Sequence, residues 1–587
     1  MRQARWPRHL VRVIALAAFV AVYAPSAAPQ EGAGDSWSPQ APAPPTELTV
    51  IDPDTGGAVP YAPVHATLLP DGRIMLFGKA ATKIKAAWFL PTPLAQEAPA
   101  EVVLQAENVP VDVNQVTFTD AAGVQWFVDE TLFCSGHALT ADGSIFVAGG
   151  TLLYSGFNPA NGVRVTYLLG MPNATLYSFP DRSWSRVPGN MLGAGGSNLA
   201  LRWYGTVTRL ADSRMLLTSG LDLALVQVHV PGVPQPIQFP GTPNRSVETY
   251  SGTAGYMLVS PHAATPPEVW NPDYTHAFLL PYPVNPSYVL MFGQAGVPVY
   301  HAPDAASGSQ WFALRSVPRT GATSATPNHG ASSALLPLRV NNGEWGYANG
   351  SVLQAGGDHD TPPEQNIDRF ELSTNGWLPS VPMGVRRHHP STVLLPDGRV
   401  LIVAGHDDTT QSALVQHAQY FDPRPPTALA TGNAPMGEPR GYHSVALLLP
   451  DGRVFVAGGR TGGSGSAEDE KPNFRYLYPP YLSPREAPPP RPEITSAPAT
   501  IGYGASFAVG FSGSPISEAV LMSPGSMTHS FDANQRYVQL PIASNAEGAV
   551  QVVAPPNPQT APPGYYMLFL LDGNRVPSVA RFLRITP

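Results

Sequence analysis

The chain has 587 residues, with 55 glycines, 67 prolines, a single cysteine and a formal net charge of -8. That length exceeds one core of ordinary size, the glycine and proline content excludes a mainly helical protein, and the lone cysteine excludes an intramolecular disulfide framework or a multi-cysteine metal cluster. The negative balance excludes nucleic acid as an expected partner.

The first residues, MRQARWPRHLVR, carry four arginines and no acid, and a twelve-residue apolar run, VIALAAFVAVYA, precedes PSAAPQ. This order predicts a secretory signal peptide over 1–28 and a secreted, extracellular product. The other reading is an N-terminal anchor, for which the run is short, and no later stretch is apolar enough to span a membrane. Removing the leader leaves 30 basic against 42 acidic residues. Residues 29–46 read as a disordered Pro/Ala-rich linker.

From 47 to 477 one phrase recurs: an apolar strand, a Pro/Asp/Gly turn, a second apolar strand, then glycine. Its copies are HATLLPDGRIMLFGK (65–79), GHALTADGSIFVAGG (136–150), GTVTRLADSRMLLTSG (205–220), a degenerate AFLLPYPVNPSYVLMFGQAG (277–296), SALLPLRVNNGEWGYANGSVLQAGG (333–357), STVLLPDGRVLIVAGH (391–406) and SVALLLPDGRVFVAGGR (444–460). The turns fall near 71, 142, 212, 285, 349, 397 and 451. Asp-Gly between apolar strands is a hairpin signal, because the turn needs positive φ. Seven such units, the later ones spaced near 50 residues, predict an all-β, seven-bladed kelch-type β-propeller, with a plain β-sandwich as the alternative. The wider early spacings predict loop insertions on the binding face. A Pro-rich linker over 478–494 leads to 495–587, whose short strands at regular intervals predict an immunoglobulin-like β-sandwich domain.

Four places carry candidate chemistry. Cys134, in LFCSGH, reads as a buried small hydrophobe or as a nucleophile. Tyr204, in LRWYGT, reads as core filling or as a functional phenol. Cys134 stands eight residues before Asp142, Tyr204 eight before Asp212, His389 eight before Asp397 and His443 eight before Asp451. Equal offsets in neighbouring blades predict a ring of side chains on one rim, which His137 also approaches. Tyr442 and His443 are adjacent, so both reach one site only if the strand begins irregularly. His529, in SMTHSFDANQ, reads as an idle loop histidine unless that loop reaches the propeller. Imidazole with phenol and no carboxylate cluster suits copper better than calcium or magnesium.

Taken as an ordered set, FCSGH, RWYGT, GYHSVALLLPDGRV and MTHSFDANQR resemble the copper radical oxidases, the galactose oxidase and glyoxal oxidase family. The resemblance implies a thioether cross-link between Cys134 and Tyr204 that forms a protein-derived radical cofactor. It also implies one copper held by Tyr204, Tyr442, His443 and His529, with His529 arriving on a hairpin from the C-terminal domain. The implied activity is oxidation of a small aldehyde or primary alcohol by O2, giving H2O2, in a monomer. Position 222, where galactose oxidase stacks a tryptophan, is Asp, so that tryptophan is absent there; an aromatic of a different blade, such as Trp345, is a weak candidate for its place. The missing tryptophan and the short N-terminus make the chain more similar to glyoxal oxidases. The alternatives are an inactive kelch propeller that binds glycans or proteins, and a metal-free hydrolase using Cys134 and His137.

Overall fold

The structure is a computed structural model that describes residues 30–39, 43–80, 83–192, 200–239, 241–260, 265, 274–281, 288–292, 298–302, 310–313, 330–340, 351–357, 365–374, 376–407, 415–460, 470–485 and 487–587. The leader over 1–28, Trp345 and the turns near 285 and 349 lie outside them.

The described residues are almost wholly β. Each copy of the repeated phrase is an antiparallel hairpin, as Gly136–Leu139 with Ile145–Ala148, Thr206–Arg209 with Met215–Thr218, or Ser444–Leu448 with Val454–Gly458. The turns share one chemistry. Asp71, Asp142, Asp212, Asp397 and Asp451 each accept the backbone N–H two residues on, at 3.0–3.2 Å. Further antiparallel strands extend each hairpin outward, so the described residues build seven hairpin-led units. The hairpin strands are buried on both faces, which is why they read as continuous apolar runs.

The first strands of the second, third and fourth units pack side by side, as do those of the fifth, sixth, seventh and first. Thr67 Oγ1 and His137 Nδ1, 3.3 Å apart, link the first unit to the second, and His276 Nδ1 and Ser333 Oγ, 2.7 Å apart, link the fourth to the fifth. The closing glycines have a steric reason. A Cβ on Gly356 (φ +65°) would lie 2.0 Å from Arg387 O of the next unit, and one on Gly458 of the seventh unit 2.1 Å from Pro63 O of the first.

Two segments expected to be linkers are built into the fold. Within 29–46, Gln30–Ala33 pairs in parallel with Ala428–Gly432, and Ser36–Ser38 pairs with Asn473–Tyr478. Trp37 is buried there and donates its indole N–H to Ala434 O at 3.1 Å. The strand Thr46–Ile51 then joins the seventh unit to the first. Within 478–494, Tyr481 and Leu482 are buried, and Arg491 donates to Pro577 O and Ser578 O. Pro-rich composition signalled few backbone donors, but the apolar anchors among the prolines outweigh that signal.

The wide early spacings hold an added antiparallel sheet, with Gln125–Thr131, Thr151–Phe157, Arg164–Gly170 and Leu221–His229 at its centre. The C-terminal region forms a four-stranded and a five-stranded sheet. They share apolar cores with the preceding units, Val520 and Phe569 packing with residues of the seventh, so the C-terminal core is continuous with the rest. From these sheets a small hairpin enters the repeat region: Ser526–Thr528 pairs with Ala58–Leu68, and Phe531–Asp532 with Ser332–Leu335.

Candidate active site

The equal offsets seen in the sequence have a backbone basis. Cys134, Tyr204, Gly330, His389 and His443 each stand just before the first strand of a unit, and their φ values are 63°, 61°, 68°, 53° and 70°. Left-handed backbone breaks the strand alternation, which is how Tyr442 and His443 serve one site. For a non-glycine residue it costs about 1–3 kcal/mol and must be enforced by the surroundings. Buried arginines enforce it. Arg202, Arg387 and Arg440 each lie two or three residues upstream and donate Nη1 to the carbonyl that ends the same unit's second strand: Ser219 O at 2.5 Å, Ala404 O at 2.6 Å and Gly458 O at 2.6 Å. Arg202 is further held by Glu248 at 2.6 Å, both fully buried.

These positions bring together all five residues singled out in the sequence. The hydroxyls of Tyr204 and Tyr442 are in direct hydrogen-bonding contact. The His529 ring centroid lies 4.8 Å from that of Tyr204, 5.3 Å from Tyr442 and 4.7 Å from His443. Cys134 Sγ is 3.9 Å from His529 Nε2, and the Tyr204 N–H donates to Cys134 O at 2.8 Å. Cys134, Tyr204 and Tyr274 form one apolar cluster. Cys134, Tyr204, His443 and His529 are buried, whereas Tyr442 is only half-buried and marks the open side.

Each imidazole is oriented from outside. His443 Nδ1 and Glu470 Oε1 are 2.6 Å apart, both side chains almost fully buried, so Nδ1 is the protonated nitrogen and Nε2 is turned to the cluster. Thr528 Oγ1 engages His529 Nδ1 at 2.5 Å and turns its Nε2 toward Cys134. Behind Cys134 runs a directed chain. The Cys134 N–H donates to His65 Nε2 at 3.0 Å, which fixes the His65 proton on Nδ1, facing His137 Nε2 at 3.1 Å. His137 then carries its proton on Nδ1, 2.6 Å from Ser526 Oγ. Both rings are neutral: burial and the neighbouring imidazoles hold His65 well below the usual histidine range, and burial pushes His137 down to about 3. His137 is therefore a support within this network.

The aromatic cover comes from an unexpected place. Trp203 stacks on Tyr204, centroids 3.7 Å apart and 26° between planes, and its indole N–H donates to Thr151 Oγ1 of the added sheet at 3.0 Å. Asp222 instead accepts from Leu201 N–H at 3.0 Å, a structural role. Sequence reasoning also missed Glu470 and Arg460, whose guanidinium sits 5.0 Å over the Tyr442 ring. The RWY triplet held the signal for Trp203; nothing local signals Glu470, 27 residues beyond His443.

Repeated hairpins thus gather two phenols, two imidazoles and a cysteine from four separate segments. Residues 491–585 match the family model "Galactose oxidase-like, Early set domain". The chain is similar to "Aldehyde oxidase GLOX1" of Arabidopsis thaliana, 26% identical over 566 residues, 89% of this chain and 82% of the relative. It is 34% identical to "Aldehyde oxidase GLOX" of Vitis pseudoreticulata over 39% of this chain and 47% of the relative. It is 30% identical to galactose oxidase of Gibberella zeae over 40% of this chain and 36% of the relative. In fold it is similar to a solved fungal alcohol oxidase of the AA5 family, described in complex with copper, at TM-score 0.65 and 18% identity, covering 94% of this chain and all of that one. The chain is thus a relative of the copper radical oxidases.

Proposed function

We propose that the chain is a secreted copper radical oxidase that converts small aldehydes, as their hydrates, to acids: R–CH(OH)2 + O2 gives R–COOH + H2O2. Primary alcohols are the neighbouring substrate class. We read the seven hairpin-led units as a seven-bladed kelch-type propeller over about residues 47–477. On this reading the immunoglobulin-like domain of about 495–587 lends His529 to the propeller.

One observation carries the proposal: Tyr204, Tyr442, His443, His529 and Cys134 converge in one buried cluster although they come from four distant segments. Two phenol oxygens and two imidazole nitrogens, the latter oriented through their opposite nitrogens, fit a copper ion. Tyr204, Tyr442, His443 and His529 would hold it, and bound there it supplies one-electron redox chemistry and Lewis acidity toward the substrate oxygen.

The remaining roles belong to the chain's own side chains. Half-buried Tyr442 meets the substrate first and takes its hydroxyl proton as general base. Tyr204, joined to Cys134 through sulfur, stores the second oxidising equivalent and takes the hydrogen atom from the substrate carbon. Closing that thioether removes one hydrogen from the Cys134 thiol and one from the Tyr204 ring, with O2 as oxidant. Trp203 covers the Tyr204 face and excludes water. Similarity to an aldehyde oxidase over most of the chain supports aldehydes over galactose.

The test is intact-mass measurement and thiol alkylation of copper-treated protein, followed by a peroxide-coupled assay. We expect a mass lower by two hydrogens, an alkylation-resistant Cys134, and peroxide from glyoxal or methylglyoxal in excess of that from galactose. A Cys134 that alkylates fully after copper and oxygen overturns the radical mechanism.

A further inference from the structure

A second imidazole cluster lies on the far side of Tyr442. His388, His389 and His406 are all buried, at 1%, 3% and 1% exposure. Their positions follow from the sixth hairpin. Ser391 pairs with Val403, and three steps further out in the same register His388 pairs with His406. The two exchange backbone hydrogen bonds, His388 N–H to His406 O at 2.7 Å and His406 N–H to His388 O at 3.0 Å. Directly opposed residues of an antiparallel pair present their side chains on one face. On a regular strand His389 would face away, but its φ of 53° turns it back. Its ring centroid is 3.8 Å from His388 and 5.7 Å from His406, and the latter two are 4.8 Å apart. One ring nitrogen from each of the three lies within 4.8 Å of the other two.

We propose that His388, His389 and His406 form a second metal site, distinct from the Tyr204–Tyr442 centre, that takes a borderline first-row ion, zinc or copper. Neutral imidazole suits those ions and not calcium or magnesium. Three histidines leave one coordination position open. Bonds of about 2.0–2.1 Å would draw the three nitrogens inward. The His389 ring also contacts Tyr442, centroids 4.4 Å apart, so occupancy would stiffen the wall behind that residue.

The test counts metal. Mature chain without a polyhistidine tag is stripped with chelator, dialysed against Zn2+ or, separately, Cu2+, and analysed by inductively coupled plasma mass spectrometry. We expect two equivalents in the wild type. His406→Gln and His388→Asn each lose one and keep the other, while His529→Gln shows the reverse. Failure of the primary centre would appear as the loss of only the equivalent that depends on His529, so the two readings fail separately. A single equivalent in the wild type that is lost in His529→Gln overturns the proposal. Wild-type occupancy retained in both His406→Gln and His388→Asn, with unchanged thermal melts, overturns it too.

Discussion

Glu470 holds His443 by a buried contact of 2.6 Å, both side chains at 2% exposure or less. The carboxylate accepts from Nδ1 and so leaves Nε2 basic and aimed at the tyrosines. Arg460, at 3.6 Å, is a cation beside the same carboxylate and also covers Tyr442. Glu470→Gln keeps the volume and one acceptor but loses the charge, and its amide can flip to donate and select the wrong tautomer. Glu470→Ala removes the acceptor altogether. Loss of such an outer partner costs about 10–100-fold in metal affinity, or about 1.4–2.7 kcal/mol. We expect about tenfold weaker copper binding for Gln and about a hundredfold for Ala. Competition against a chelator of known affinity measures it, and electron paramagnetic resonance of the loaded variants reports the altered nitrogen coupling. Wild-type affinity and spectrum in folded Glu470→Ala would refute the orienting role.

Three further outcomes follow. Tyr204→Phe should abolish peroxide production while leaving the thermal melt within about 1 kcal/mol of wild type; retained turnover removes Tyr204 from the mechanism. Glu248→Ala strands the Arg202 charge in the interior and should cost about 3–5 kcal/mol in denaturant unfolding; a change below 1 kcal/mol would mean that the pair does not brace the Tyr204 backbone. Burial pushes His137 and His301 down to about 3, so below the ordinary histidine value of 6.5 the unfolded chain binds more protons than the folded one. Stability should therefore be full above pH 6.5 and fall as pH drops toward 3, by about 1.4 kcal/mol per pH unit for each ring. His301→Phe should flatten that fall in melts taken across pH 4–7, and an unchanged slope rejects the assignment.

The hairpins were legible because their signal is local: two short apolar strands in each copy, joined by Asp-Gly in four of the seven. Cys134, Tyr204 and His443 were legible for the same reason, their common offset from the turn being the imprint of one repeated backbone kink. His529 needed the family resemblance, since nothing in its loop says that Ser526–Thr528 pairs with a strand more than four hundred residues earlier. Glu470 was hidden because a carboxylate 27 residues beyond the histidine it holds follows no spacing rule. The stacking tryptophan was sought in another blade because the search followed a family position; the ring is the one beside Tyr204. Segments 29–46 and 478–494 misled because proline content reports stiffness and says nothing about the Trp37 and Tyr481 anchors set among the prolines.

The origin of the cluster's members also sets a timetable. Cys134 and Tyr204 emerge early in synthesis, Tyr442 and His443 much later, and His529 only with the hairpin carried by the C-terminal sheets. A nascent or truncated chain that stops short of that hairpin holds the two phenols and a single imidazole of the set. Assembly of the full donor set is thus a report that the chain has been made as far as that hairpin, and an oxidase centre of the kind proposed would be silent until then.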